Sequence, residues 1–151
     1  MDVQSVHGYV GNKLTFAGMH ADTGLKRAAT MTSDEILAQI LASGLRGRGG
    51  AGFPTAKKWE YARGQQGKEK YVVCNADEGE PGTFKDRLIL TDFPDLVFAG
   101  MAIAGKAIGA EHGILYLRAE YYWLREHLEK ILDWRRSAKL LGKGHIGFFG
   151  S

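Results

Sequence analysis

The sequence predicts an α/β fold in which a parallel sheet is flanked by helices, and three observations predict it. Two short runs rich in β-branched, aromatic or aliphatic residues, Tyr71 to Cys74 and His112 to Leu117, are each followed by a segment of helical periodicity. A glycine- and arginine-rich stretch, Gly44-Leu45-Arg46-Gly47-Arg48-Gly49-Gly50-Ala51-Gly52-Phe53-Pro54-Thr55, opens a further helix. The first strand run breaks off into Asn75, Asp77, Glu78 and Glu80. An order of β, α, β, α implies a parallel pair with a right-handed crossover. Polar groups at the carboxyl end of such a strand stand where open α/β sheets bind ligands.

Composition sets the outer limits. With 151 residues, 44% apolar and 25% charged, the chain suits one globular domain with a sizeable core. A net charge of +3, spread over separate basic patches, gives no argument for nucleic acid by itself. Cys74 is the only cysteine, which excludes an internal disulfide and offers no iron–sulfur ligand set. A reducing, cytoplasmic compartment is expected. The most apolar stretch, Leu96 to Ile108, is 13 residues long and contains Lys106, against the ~20 residues a membrane span needs. The five histidines are scattered, with none at the helical spacing of a metal pair, so no metal site is expected.

Taken in order, residues 1–22 read as an arm, with Val6 to Val10 and Leu14 to Phe16 as short extended pieces around a Gly11-Asn12 turn. Thr32-Ser33-Asp34-Glu35 is a capping box, and Ile36, Leu37, Ile40 and Leu41 follow at helical spacing until Ser43-Gly44. A second helix starts near Pro54 and carries Lys57, Lys58, Trp59 and Tyr61. Arg63 to Lys70 is a polar linker, and Glu78 to Thr91 a long loop. A helix from Asp92 or Pro94 to about Ile108 contains Gly100 and Gly105, each costing ~1 kcal/mol against alanine, which predicts close packing there. Tyr121 to Trp134 is an amphipathic helix through Leu124, Leu128, Ile131 and Leu132. The tail from Leu140 to Ser151 has no clear periodicity.

The glycine run is poor core material and good material for an anion cradle. Glycine reaches positive φ and lets successive N–H groups converge on phosphate oxygens. Arg46 and Arg48 add charge, and the helix start after Pro54 adds a positive helix end. By itself the run fits a plain flexible loop, a phosphate site or an RGG-type RNA-binding segment. It is only a degenerate G-x-G-x-x-G, preceded by a helix pattern, and the chain has no G-x-x-x-x-G-K-[ST].

Read together, Gly44 to Thr55 and Tyr71 to Arg87 resemble the FMN- and NADH-binding subunit of respiratory NADH dehydrogenase (complex I) and its relatives in NAD-reducing hydrogenases and formate dehydrogenases. The resemblance covers roughly Gly24 to Leu141. It implies a Rossmann-like domain, residues 23–151, that is part of an FMN/NADH-binding unit and cut short before its remaining strands. It also implies FMN contacts from Gly47, Arg48, Gly49 and Gly50 and from Asn75, Asp77, Glu78 and Glu80, with Glu80 also near the nicotinamide. Phe53 and Tyr61 match aromatic positions around the NADH adenine, and Lys58 a basic position beside the dinucleotide. No side chain is implied as catalytic, because the hydride passes from NADH to the flavin and electrons leave singly for iron–sulfur clusters. Lys85, Asp86 and Arg87 are expected to tie the loop by ion pairs, and Cys74 to act as a small hydrophobe. Glu120 and Tyr121 read as a pair at the surface or just behind the ligand contacts, with no assigned role.

The family's G-A-G-A-Y-x-C-G-E-E segment, its β-rich domain and its cysteine-ligated [4Fe–4S] domain do not occur in this sequence. The isolated chain is therefore expected to bind FMN weakly and oxidise NADH poorly. Its expected partners are NAD(H) and the iron–sulfur subunits of a multisubunit oxidoreductase, without nucleic acid or direct membrane insertion. The alternative is a non-catalytic structural or partner-binding remnant that exposes Ile146, Phe148 and Phe149; RNA binding through the Arg-Gly loop stands behind both.

Overall fold

The protein is described by a computed structural model covering residues 20–67 and 69–141 and the backbone of 145–150. The described elements are α1 (Ala21–Thr30), α2 (Ser33–Ala42), α3 (Thr55–Gly64), β1 (Tyr71–Ala76), α4 (Lys85–Asp92), α5 (Pro94–Ile108), β2 (His112–Leu117), a 3-10 helix (Ala119–Leu124), α6 (Arg125–Ser137) and β3 (His145–Gly150).

The three strands lie parallel in the order β1-β2-β3, with Tyr71 opposite His112 and His112 opposite His145. Each right-handed crossover steps the same way along this sheet, so α5 and α6 must fall on one face. Ala76, Leu115 and Leu117 turn toward that face and pack with Phe98 and Met101 of α5 and Leu128 and Leu132 of α6. On the other face Tyr71 and Val73 are 48% and 58% exposed. A second cluster forms where α1 and α2 lean on the last turns of α5, through Ala28, Ile36, Ala107 and Ile108, with Trp59 of α3 beside them.

Two lysines tie the helices in register. Lys106 of α5 donates to the carbonyls of Ala28 and Ala29 at 2.8 and 2.6 Å, satisfying the end of α1. Lys70, just before β1, donates to Arg63 O at 2.5 Å and Ile108 O at 3.3 Å. The carboxyl ends of α3 and α5 thus meet just before β1, and α5, the crossover between parallel strands, runs back so that its amino end lies toward the edge where β1 finishes.

Several expectations hold. The Thr32 hydroxyl accepts from Glu35 N at 3.2 Å and the Glu35 carboxylate accepts from Thr32 N at 2.7 Å, the reciprocal capping box. A Cβ on Gly105 would lie 3.1 Å from Ala110 O, the close packing expected of that glycine; at Gly100 it would meet nothing within 4 Å.

Other readings need correction. Residues 21 and 22, read as part of the arm, begin α1, whose apolar positions are too sparse to announce a helix. The long loop after Glu78 contains α4; Phe84 at its start supplies no side-chain cap, so the local signal is missing. The helix read from Tyr121 begins with a 3-10 segment and is α-helical only from Arg125. β1 runs on to Ala76. The glycine-rich tail contributes β3, whose pairing is supplied by β2 and not by local propensity. The extended pieces read within residues 6–16, and the side chains of Ile146, Phe148 and Phe149, lie outside the described residues.

Candidate functional site

The glycine stretch forms a loop with a closed neck. Arg46 and Pro54 make an antiparallel bridge, Gly47 N donates to Phe53 O at 2.9 Å, and the Arg46 guanidinium donates to Gly52 O at 3.0 Å. Beyond this neck the N–H groups of Arg48 to Gly52 have no acceptor among the described residues. Gly50 and Gly52 take φ of 113° and 59°, which side chains rarely adopt. Gly49 is not in that region, and a Cβ there would touch nothing within 4 Å, so neither backbone nor internal packing calls for glycine. Unmatched N–H donors, left-handed turns and an unhindered tip fit the approach of an anionic ligand group. Arg48 is exposed at that tip.

Immediately after the neck, α3 begins, and its amino end faces the loop. Phe53 and Tyr61 are both exposed, with ring centroids 6.4 Å apart and planes tilted by 44°. Lys58 lies one turn before Tyr61, also exposed. The three residues expected around the dinucleotide therefore share one side of α3.

At the end of β1 the acidic segment divides into two kinds of group. Asn75 Oδ1 accepts from Asp77 N at 2.9 Å, which leaves the Asn75 amide N–H groups and the exposed Asp77 carboxylate outward. Glu80 is exposed too, and its carbonyl accepts from Thr83 N and Oγ1. Glu78 is only 5% exposed. Its carboxylate accepts from Asp86 N at 3.1 Å, Arg87 N at 3.4 Å and the Tyr121 hydroxyl at 3.0 Å. Its carbonyl accepts from the Arg118 guanidinium. Burial pushes this carboxyl up, but the N–H of Asp86, the Tyr121 hydroxyl, the N–H of Arg87 and the Lys85 charge together hold it below the ordinary glutamate value. Burial also raises the Cys74 thiol, in keeping with an inert side chain.

Lys85 pairs with Asp86, so one of the expected ties within the loop is present. Arg118 is not singled out by the sequence, and Tyr121 only as one of a surface or supporting pair; the structure buries Tyr121 against Glu78. Arg118 directly follows β2 at the same carboxyl edge, a position that could have singled it out. Among the described residues no hydrogen bond or ion pair joins the glycine loop to the acidic loop. Lys70 ties the carboxyl ends of α3 and α5 together just before β1.

A family model, the Nuo51 FMN-binding domain, matches residues 40–146. The chain belongs to this family. Within the Nuo51 family it is 50% identical over 127 residues to the NAD-reducing hydrogenase HoxS subunit alpha of Cupriavidus necator, covering 82% of this chain and 21% of that protein. It is 45% identical over 127 residues to an NADH-quinone oxidoreductase subunit of Aquifex aeolicus, covering 82% and 29%. The NADP-reducing hydrogenase subunit HndC of Solidesulfovibrio fructosivorans is 44% identical, over 97% of this chain and 28% of its own length. The chain thus spans between a fifth and a third of the length of these curated relatives. In a crystal structure of an NAD+-reducing [NiFe]-hydrogenase in the H2-reduced state, one chain superposes with a TM-score of 0.83 at 44% identity, over 93% of this chain and 25% of that one. The α/β class and the resemblance to complex I and hydrogenase flavoprotein subunits are both borne out.

Proposed function

We propose that this chain is the FMN-holding part of an NADH-oxidising flavoprotein subunit that works beside iron–sulfur subunits of a larger cytoplasmic oxidoreductase. Bound FMN supplies the two-electron chemistry with the nicotinamide and the one-electron delivery onward. The chain's own residues supply binding and field. The free N–H groups of Arg48 to Gly52, with the Arg48 charge and the α3 amino end, receive the flavin phosphate. Asn75 donates through its amide, and Asp77 and Glu80 accept from hydroxyls or ordered water while opposing added negative charge nearby. Phe53, Tyr61 and Lys58 offer ring faces and a cation to the dinucleotide.

The observation that supports this most directly is the run of unmatched loop N–H donors beyond the neck. Quenching of FMN fluorescence on titration with the chain tests it. Weak, saturable quenching is expected, lost in Gly49→Val and weakened in Arg48→Ala. No quenching, or quenching indifferent to the loop, would reject the reading. RNA binding with a steep salt dependence would favour the Arg-Gly alternative instead.

A further inference from the structure

Glu78 is unusual among the described residues: it and Arg135 are the buried polar or charged side chains. A buried carboxylate needs partners, and Glu78 has three. Two of them, the N–H groups of Asp86 and Arg87, belong to the first turn of α4. That turn has no cap of its own, since Phe84 offers no side-chain acceptor. Glu78 therefore caps α4 from across the loop, satisfying donors that a helix leaves open and meeting its positive end. The third partner, Tyr121, reaches in from the 3-10 helix after β2, itself 9% exposed. Arg118 clamps the Glu78 carbonyl from the same connection and pairs with Glu120 at 2.7 Å.

These contacts use the Glu78 carboxylate inward, while Asn75, Asp77 and Glu80 on either side stay exposed. We propose that Tyr121 and Arg118 are positioning residues of the flavin site, acting through Glu78 to hold the 75–80 segment in the shape that presents Asn75, Asp77 and Glu80 to the cofactor. This rests on the FMN reading above and assigns Glu78 an indirect role in it. The β2–α6 connection thereby sets the geometry of the loop after β1. A Glu78 without its Tyr121 bond keeps a buried charge with one fewer donor, and the loop turns outward to hydrate it.

The experiment compares the wild-type chain with Tyr121→Phe, using Tyr122→Phe, its exposed neighbour, as control. Free FMN is the ligand probe, read by fluorescence quenching. In flavin-free protein the Glu78 carboxyl is titrated by carbon NMR, a readout that general loss of stability does not shift upward. Tyr121→Phe is expected to keep the fold by circular dichroism, move the Glu78 titration upward and weaken FMN about tenfold. Tyr122→Phe changes neither. Should Tyr121→Phe fail to fold, Arg118→Lys, which keeps the charge and loses the guanidinium fork, is expected to weaken FMN in the same way. Absence of quenching by the wild-type chain overturns the functional reading and this inference with it. Equal FMN affinity in wild type and folded variant, or an unmoved Glu78 titration, overturns the inference alone.

Discussion

Lys139 occupies at the end of α6 the left-handed position that Gly109 occupies at the end of α5, with φ of 57° and 75° respectively. Both helices close with the same five-residue return: Leu140 N donates to Arg135 O at 2.9 Å and Ala110 N to Gly105 O at 2.8 Å. Glycine fills this position without strain, whereas a side chain there costs about 1 kcal/mol. Lys139→Gly is therefore expected to raise the melting temperature by about 3 °C. Gly109→Ala is expected to lower it, and thermal unfolding of the two variants checks both signs.

The Arg135 side chain is fully buried, pairs with Asp95 at 2.5 Å and, among the described residues, has no partner for Nε or Nη2. Asp22 stands 3.9 Å away. Removing the Asp95 carboxylate leaves a buried cation without its nearest counter-charge, so Asp95→Ala is expected to cost about 2 kcal/mol or more. Arg135→Met removes the cation and its unsatisfied donors together and is expected to be neutral or stabilising. Urea denaturation measures both; a Met variant as damaged as the Ala variant would contradict this account.

Two glycines of α5 should respond oppositely to alanine. At Gly100 the new methyl meets open space, and the better helix former is expected to add about 0.5–1 kcal/mol. At Gly105 it presses on Ala110 O at 3.1 Å, an atom fixed by the helix end itself, with Val72 at 3.9 Å. Gly105→Ala is expected to destabilise by about 1 kcal/mol or more. Paired denaturation curves at constant m-value decide it.

Acid should loosen this protein through its held carboxylates. The Arg118 hydrogen bond keeps Glu120 down at about 2, the Arg63 hydrogen bond lowers Asp34, and the Thr32 N–H lowers Glu35. Glu78 also titrates below its ordinary value of 4.5, although it is buried. Each has a lower pKa folded than unfolded, so its contribution is complete above about pH 5 and is lost as pH falls toward 2. The melting temperature is expected to be level above about pH 5 and to decline below it. Glu78→Gln should start lower and decline less steeply.

Much of the fold could be read directly because its signals are local. The Thr32–Glu35 box, the apolar spacing of α2 and the run from His112 to Leu117 each depend on residues within one or two turns of each other. The same is true of the glycine loop and the Asn75–Glu80 segment, whose composition already points to a ligand at a strand end. Helix α4 and strand β3 were not legible: one is capped by a residue seven positions upstream of its start, the other ordered by pairing with β2.

By itself, then, the sequence determined the alternation of strands and helices, the glycine-rich loop and the acidic strand end, since backbone preference and side-chain chemistry act over short distances. Only the tertiary structure decided that Glu78 faces inward while Asp77 and Glu80 face out, and that Tyr121 and Arg118 are the groups that meet it. The deciding partners come from the connection after β2, about 40 residues further along the chain. Whether a carboxylate is a ligand or a strut depends on which donors the fold brings to it.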